Sequence, residues 1–487
     1  MTKLIPRLPS RPLVWSDAVL DLQERLISVE PAKPLYLVGG AVRDALLRRD
    51  TKDIDLVTPS RAMELGRKIA KALKAEFFAL DTERDVARVL WAHGDGTMVI
   101  DVSSYRGGDL YEDLLGRDFT VNAMAVDFRT DLTELIDPLQ GDDDLTQQKR
   151  LRQCSPTALA DDPLRVLRAV RQSIAYGLQL EEQTKRAVRE QAASLLNTSA
   201  ERVRDELFRV FGLEKASQAL RVMRALGVLD VVMPHIRALE GVAQPKPYTL
   251  DAWAHTLYAL EKLQLLTLAV SPRRPDQATA SFGLGMVVMQ LDRFRKPLQQ
   301  HLREHWANER PHVALLMLAC THHRVALDNA PERERIVADY ADQLKLSNAE
   351  KKRLLATLNA YPQVFTLDVD DVLSVHRFWF RWHEAGVDAI LLAIAHELAT
   401  QSVALEQKAW LAHVERIVRL FWAYFMDYER VVNPKLLLDG NALMAEAGVP
   451  EGRQVGEALL ALREAQVQGD VTTREQALAF VRDWLTA

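Results

Sequence analysis

Leu35-Tyr36-Leu37-Val38-Gly39-Gly40-Ala41-Val42-Arg43-Asp44, followed nine residues after Asp44 by Asp53-Ile54-Asp55-Leu56-Val57, is the stretch on which the reading of this chain turns. An apolar run that ends in paired glycines and continues as Ala41 to Arg49 predicts a buried strand, a tight turn and a helix, with turn amides available to a phosphate. The second run predicts a strand carrying two carboxylates. Asp53 and Asp55 are two residues apart, so on an extended strand both side chains leave the same face. Two like charges that close repel unless a cation lies between them, and hard oxygen ligands suit Mg2+, which takes one or two protein carboxylates together with substrate phosphates. A phosphate-cradling turn beside a metal-binding strand is what phosphoryl or nucleotidyl transfer needs.

At 487 residues, 48% hydrophobic and 26% charged, the chain should hold two to four ordered domains. A net charge of −5 does not announce a nucleic-acid binder, so any RNA-binding surface must be a local basic patch. Cys154 and Cys320 lie far apart and predict neither a disulfide framework nor a zinc site, and with no apolar leader at the N-terminus a cytoplasmic location is expected. The longest apolar run, Ala389 to Ala395, is too short to span a bilayer.

After a proline-rich arm, Val19, Leu20, Leu22, Leu26 and Ile27 recur at helical spacing between Asp17 and Val29. From 35 to 140, strand-like runs at 35–38, 54–57, 87–91, 98–102 and 123–128 alternate with helices near 41–49, 60–74 and 109–116. An acidic turn is expected over Gly141 to Asp144, and from Gln147 onward the pattern is helical, with breaks at Pro156, Gly177, Gly212, Gly227, Pro234 and Pro245-Lys246-Pro247 and a surface loop over 272–277. The expected class is therefore α+β: an arm and helix (1–34), a small mixed α/β head (35–145), a helical neck (146–240), a helical body (241–432) and a C-terminal helical module (433–487).

Three further segments carry candidate chemistry. In Met98-Val99-Ile100-Asp101-Val102 one acid interrupts an apolar run; it is either an edge-strand aspartate or a third carboxylate near Asp53 and Asp55. In Leu114-Leu115-Gly116-Arg117-Asp118-Phe119-Thr120-Val121-Asn122-Ala123-Met124-Ala125 a charged pair and an Asn stand at the edge of a buried element. In Asp161-Asp162-Pro163-Leu164-Arg165-Val166-Leu167-Arg168-Ala169-Val170-Arg171 two acids precede a proline at a helix start, and arginines recur every three residues along one side, as on a solvated basic face or a binding stripe.

The Gly-Gly turn with Asp-Ile-Asp resembles the nucleotidyltransferase fold of the DNA polymerase β superfamily, and the wording of all four segments resembles its class II tRNA nucleotidyltransferase and poly(A) polymerase family. The resemblance implies a Mg2+-dependent enzyme that adds C or A nucleotides from CTP and ATP to the 3′ end of tRNA without a template. It implies Asp53 and Asp55 as metal ligands, with Asp101 as a further catalytic acid. Gly39, Gly40 and Arg43 would serve the phosphates and Arg117 the incoming nucleotide. Asp162 and Arg165 would read the base, and Arg168 and Arg171 would bind phosphate or the other acids of the site. The family's pattern reads Arg-Arg-Asp, and this chain has Gly116 in place of the first arginine.

Only ten residues separate Arg106 from Arg117, a short connection that in the family accompanies CC addition. Trp253-Ala254-His255 and Cys320-Thr321-His322-His323 resemble remnants of a metal-dependent HD hydrolase domain, and Leu344 to Glu350 resembles the segment before a further ligand. With no aspartate after His323, a degenerate scaffold without hydrolase activity is expected.

Overall fold

The computed structural model describes residues 4–51, 53–272, 282–327, 329–400 and 407–486; of the loop expected at 272–277, all but Pro272 lies outside them. The chain divides into two compact units, Met1–Ser199 with Val222–Val232 and Ala200–Arg221 with Met233–Ala487.

The first unit is built on a six-stranded sheet of β1 (Tyr36–Val38), β2 (Asp53–Thr58), β3 (Glu76–Asp81), β4 (Val86–His93), β5 (Gly96–Ser104) and β6 (Ala125–Asp127), in the order β3-β4-β5-β2-β1-β6. β2 and β5 pair in parallel and all other neighbours antiparallel. The edge strand β3 is absent from the sequence reading. Phe78 and Leu80 are exposed there, so its backbone ladder with β4 holds it in place and no alternation of buried and exposed residues marks it.

Helix α1 (Asp17–Leu26) buries Ala18, Val19, Leu22 and Leu26, whereas Leu20 and Ile27, predicted on its apolar face, are exposed. Helices α2 (Gly40–Leu47), α3 (Ala62–Leu73) and α4 (Leu110–Leu115) fall near the predicted spans.

The acidic segment predicted as a turn is instead helix α5 (Gly141–Thr146). Three acids in its first turn suit the positive end of a helix, and Asp142 and Asp144 are buried because others claim them. Ser10 donates to Asp142 through its amide (2.7 Å), Arg7 pairs with Asp137 and Asp142, and Arg150 and Arg152 pair with Asp144. The proline-rich arm is thereby tied to the head. A Cβ on Gly141 would stand 2.1 Å from the Thr120 carbonyl oxygen, so only glycine lets α5 reach that turn. Beyond it lie α6 (Ala158–Asp161) and α7 (Arg165–Tyr176), the latter closed by Gly177 in the left-handed conformation.

The second unit is helical throughout its described residues. The apolar run Ala389 to Ala395 lies within the helical stretch Val372–Thr400, which is kinked at His383, and is buried on every side, as an all-round apolar helix must be. Leu344 to Glu350 starts a helix: Ser347 and Glu350 form a capping box for Asn348–Ala360, and Arg310 grips the Glu350 carboxylate with two bonds of 2.7 and 2.6 Å. The C-terminal residues close a core of their own around Leu443, Leu462, Ala477 and Val481. Both cysteines are free and buried. Among the described residues no helix is long and apolar enough to cross a membrane.

Candidate active site

The strand–turn–helix unit forms as its residues dictate. Val38 ends β1, Gly39 adopts φ 75° and ψ −135°, a region closed to residues with a Cβ, and α2 starts at Gly40 with no side-chain cap on its first amides. A Cβ on Gly39 would lie 2.8 Å from Oδ2 of Asp55 and 3.1 Å from Nη1 of Arg117. The glycine therefore allows three groups to meet: the turn backbone, a carboxylate and a guanidinium. Gly39→Ala is expected to cost about 1–2 kcal/mol of stability and, by displacing Asp55, to lower incorporation of nucleotide by about tenfold or more. A thermal melt and a steady-state rate on the purified variant check both.

Asp55 stands opposite Val38 in β1 and directly beside Asp101 in β5, while Asp53 stands beside Val99. Ile54, Leu56, Ile100 and Val102 are buried on the opposite face, so the three carboxylates share one. Burial pushes the Asp55 carboxyl above its ordinary pKa; Arg117 opposes that rise, and Asp101 and Asp53 reinforce it. Asp53 and Asp55 on one strand face, with Asp101 beside Asp55, offer hard oxygen ligands of the kind a divalent cation takes. Asp101, however, is held by a two-bond ion pair with Arg88 on β4, 2.8 Å in each arm. Asp101 is not an edge-strand residue, since β5 lies between β4 and β2; it stands on the carboxylate face and has a structural partner in Arg88.

Arg117 is buried and bound through Nε and Nη2 to the buried Asp113 (3.1 and 3.0 Å), one helical turn earlier. That pair turns Nη1 toward Gly39 and Asp55. The neighbouring Asp118 is the hub of a buried network. Its carboxylate accepts from Arg168 (2.9 and 2.6 Å), from the amide of Asn122 (2.9 Å), from Gln172 (3.3 Å) and from the backbone N–H of Phe119 (2.8 Å). Burial alone would raise its pKa; the charge of Arg168 and these hydrogen bonds outweigh burial and hold the carboxyl well below the usual range.

The sequence reading took Arg43 as a phosphate contact. The structure turns its guanidinium inward, onto Asp44 (3.0 Å), Asn122 Oδ1 (2.5 Å) and the Tyr176 ring (4.2 Å). The chain Asp44–Arg43–Asn122–Asp118–Arg168 thus fastens α2 to the 117–122 turn and to α7. Asp113, Arg88 and Gln172 were not among the sequence candidates, and Asp118 and Asn122 stood there only as polar groups at the edge of a buried element. The i,i+4 spacings Asp113–Arg117 and Asp118–Asn122 were the available signal.

The arginine stripe of α7 is not a solvated face. Arg165 gives hydrogen bonds to the carbonyls of Gly116 (2.8 Å), Arg117 (3.2 Å) and Ala158 (2.9 Å), and Arg168 reaches Asp118. Asp162 accepts from the amide of Leu164 (3.2 Å), and the half-buried Arg171 lies close enough to Tyr176 to act on its hydroxyl. Of the ten residues after Arg106, 110–115 form the capped helix α4: Asp109 accepts from the N–H of Glu112, whose own carboxylate accepts from Gly108 (2.6 Å).

Residues 35–152 match the family described as the poly A polymerase head domain, and residues 177–239 match that described as a probable RNA and SrmB-binding site of polymerase A. An A-adding tRNA nucleotidyltransferase of Deinococcus radiodurans is 33% identical over 92% of this chain and 95% of its own length. The chain belongs to the tRNA nucleotidyltransferase and poly(A) polymerase family. As a member it is a nucleotidyltransferase, an enzyme class that works with divalent metal ions. CC-adding tRNA nucleotidyltransferases of Synechocystis sp. and Geobacter sulfurreducens are 29% and 30% identical, each over 92% of this chain.

The fold is shared with solved members: a CCA-adding enzyme in complex with ATP (TM-score 0.61, 20% identity, 96% of this chain and 95% of that one) and the Thermotoga maritima CCA-adding enzyme complexed with tRNA (TM-score 0.57, 20% identity, 96% of each). For this nucleotidyltransferase, the Gly39 turn, the carboxylate face and the α7 arginines meet in one unit.

Proposed function

We propose that this nucleotidyltransferase adds cytidine nucleotides from CTP to the 3′ end of tRNA, releasing pyrophosphate, with Mg2+ as its ion and the cytoplasm as its compartment. The observation that carries the reading is the close meeting of Gly39, Asp55 and Arg117 beside a three-carboxylate face. Asp53 and Asp55 would hold the metal, with Asp101 beside them; when bound, the ion activates the terminal 3′-hydroxyl and offsets charge on the triphosphate. The Gly39 and Gly40 amides would take the phosphates, Arg117 Nη1 would face the incoming nucleotide, and Arg43, Arg168 and Arg171 would act from behind by fixing the surfaces that carry these groups. In domain terms the head (35–145) carries the chemistry and the neck (146–240) the base recognition.

Base choice follows from donor arithmetic. A guanidinium has five N–H donors, and Arg165 uses three on backbone carbonyls, which leaves two. Cytosine presents two adjacent acceptors, N3 and O2, and one donor, N4. Adenine presents a single acceptor beside its amino group on that edge. Two further donors on Arg165 therefore match cytosine better. The short connection after Arg106, with its capped helix, accords with an enzyme that adds C.

Arg165→Ala is expected to narrow CTP preference over ATP by about ten- to hundredfold, the worth of a charge-assisted hydrogen bond at about 1.5–3 kcal/mol, while Arg117→Ala weakens both nucleotides alike. Incorporation efficiencies for CTP and ATP, measured separately on tRNA ending at each successive 3′ position, test this; unchanged selectivity in Arg165→Ala removes the base-reading role. The A-adding relative favours a second reading, addition of the terminal A. In that case the same assay yields one AMP on tRNA ending in CC and nothing from CTP, whereas a poly(A) polymerase extends without limit.

A further inference from the structure

Of the three histidines left over from the HD-like motifs, the structure keeps two together and separates the third. His322 donates from Nδ1 to the Leu318 carbonyl (2.8 Å) and pairs through Nε2 with His235 (2.8 Å). His255 and His323 instead meet His396, which no motif indicated. The three buried rings bring one nitrogen each to within 4.8 Å of the others.

One nitrogen of each ring is anchored by a hydrogen bond. His323 Nδ1 lies 2.6 Å from the Cys320 carbonyl and must be the N–H, which leaves Nε2 a lone pair. His255 Nε2 lies 3.1 Å from Thr400 Oγ1, and the one proton of Thr400 is already given to the His396 carbonyl (2.9 Å). Thr400 therefore accepts, and His255 Nδ1 is a lone pair. His396 Nε2 is held by the Tyr248 hydroxyl at 3.0 Å. The remaining nitrogens, Nδ1 of His255, Nε2 of His323 and Nδ1 of His396, are buried with no hydrogen-bond partner.

We propose that His255, His323 and His396 bind a divalent transition-metal ion of the zinc class through these three nitrogens. Each ring's other nitrogen is anchored by a hydrogen bond, as ligating histidines require. A tetrahedral ion with Zn–N bonds of about 2.1 Å draws such nitrogens to about 3.4 Å apart and leaves a fourth position for water or an anion.

Burial and Arg324 keep His255 neutral down to about pH 4, and burial with the neighbouring imidazoles and Arg324 holds His323 and His396 well below the usual imidazole range, so all three are competent ligands at neutral pH. The positive field of Arg324 and Arg333, which face Tyr248 (4.8 Å) and Tyr361 (6.0 Å), works against any cation. That selects an ion that bonds strongly to nitrogen over Mg2+ or Ca2+. A second cluster, His301, His312 and Asp388, differs in kind. Both imidazoles bond to the same carboxylate oxygen (2.8 and 2.9 Å) and Arg353 takes the other (2.6 Å), so it is a completed hydrogen-bond network. The three-imidazole set is also not the His and His-Asp pattern expected from the HD resemblance.

The test uses the full chain, stripped with chelator, loaded with Co2+ or Zn2+ and dialysed. The expected result is one ion per chain, with the visible d–d bands of tetrahedral Co2+ bound to nitrogen, displaced by Zn2+ and retained in the Asp53→Asn/Asp55→Asn double variant. His396→Gln should lose the bands. Thr400→Val, which removes only the anchor of His255, should weaken binding by about ten- to hundredfold. No bands in the wild-type chain, or bands that follow Asp53 and Asp55 rather than His396, would overturn the proposal without reliance on how any variant folds.

Discussion

Asp53→Asn and Asp55→Asn are each expected to lower nucleotide incorporation by about a thousandfold or more, a loss of about 4 kcal/mol in transition-state stabilisation. Each removes a carboxylate from the shared face without changing side-chain volume, and Asp55 is the group against which the Gly39 turn closes. The stability effect runs the other way. The Asp55 pKa is raised in the folded protein, mainly by burial, so its charge opposes folding at neutral pH, and the neutral amide should leave the metal-free protein at least as stable. Incorporation is measured at saturating Mg2+, and melting in chelator. A variant retaining more than about a tenth of wild-type activity places the metal elsewhere, and a large drop in melting temperature assigns the carboxylates a structural role instead.

Asp118→Ala is expected to destabilise the first unit by about 3 kcal/mol, because it strands donors on Arg168, Asn122, Gln172 and Phe119 in a buried place. For a unit of this size that corresponds to a melting shift of about 6–12 °C. Activity should fall as well, since the same network holds the turn that carries Arg117. The pH dependence has a definite sign. The folded pKa of Asp118 lies below its unfolded value, so the stabilisation is complete above about pH 4 and is lost as the pH falls from there toward the folded pKa. The difference in stability between wild type and Asp118→Ala should therefore shrink on acidification. A constant difference between pH 7 and pH 3, followed by denaturant unfolding, would show that packing and not charge is responsible.

The functional elements and their order were legible in local sequence. A strand, a glycine turn and a helix follow from Leu35 to Arg49, two same-face carboxylates follow from a spacing of two, and an arginine stripe follows from a spacing of three; short-range sterics decide each of these. The breaks at Gly177, Gly212 and Pro234 are likewise local. What each charged group does was decided by tertiary neighbours. Arg43 turns inward because Asn122 and Tyr176 arrive from distant segments, Arg168 serves Asp118, and Asp101 is shared with Arg88 because β4 happens to lie beside β5.

The same distinction separates the histidines. His322 and His323 are neighbours in the chain, yet on a helix they point about 100° apart, so one joins His235 and the other joins His255 and His396. Residue type and spacing determined which chemistry was possible in this protein, because they act within a turn or two of backbone. Which groups were left to perform it was settled only by packing, because a guanidinium or an imidazole is committed by whatever partner the fold brings within hydrogen-bond reach.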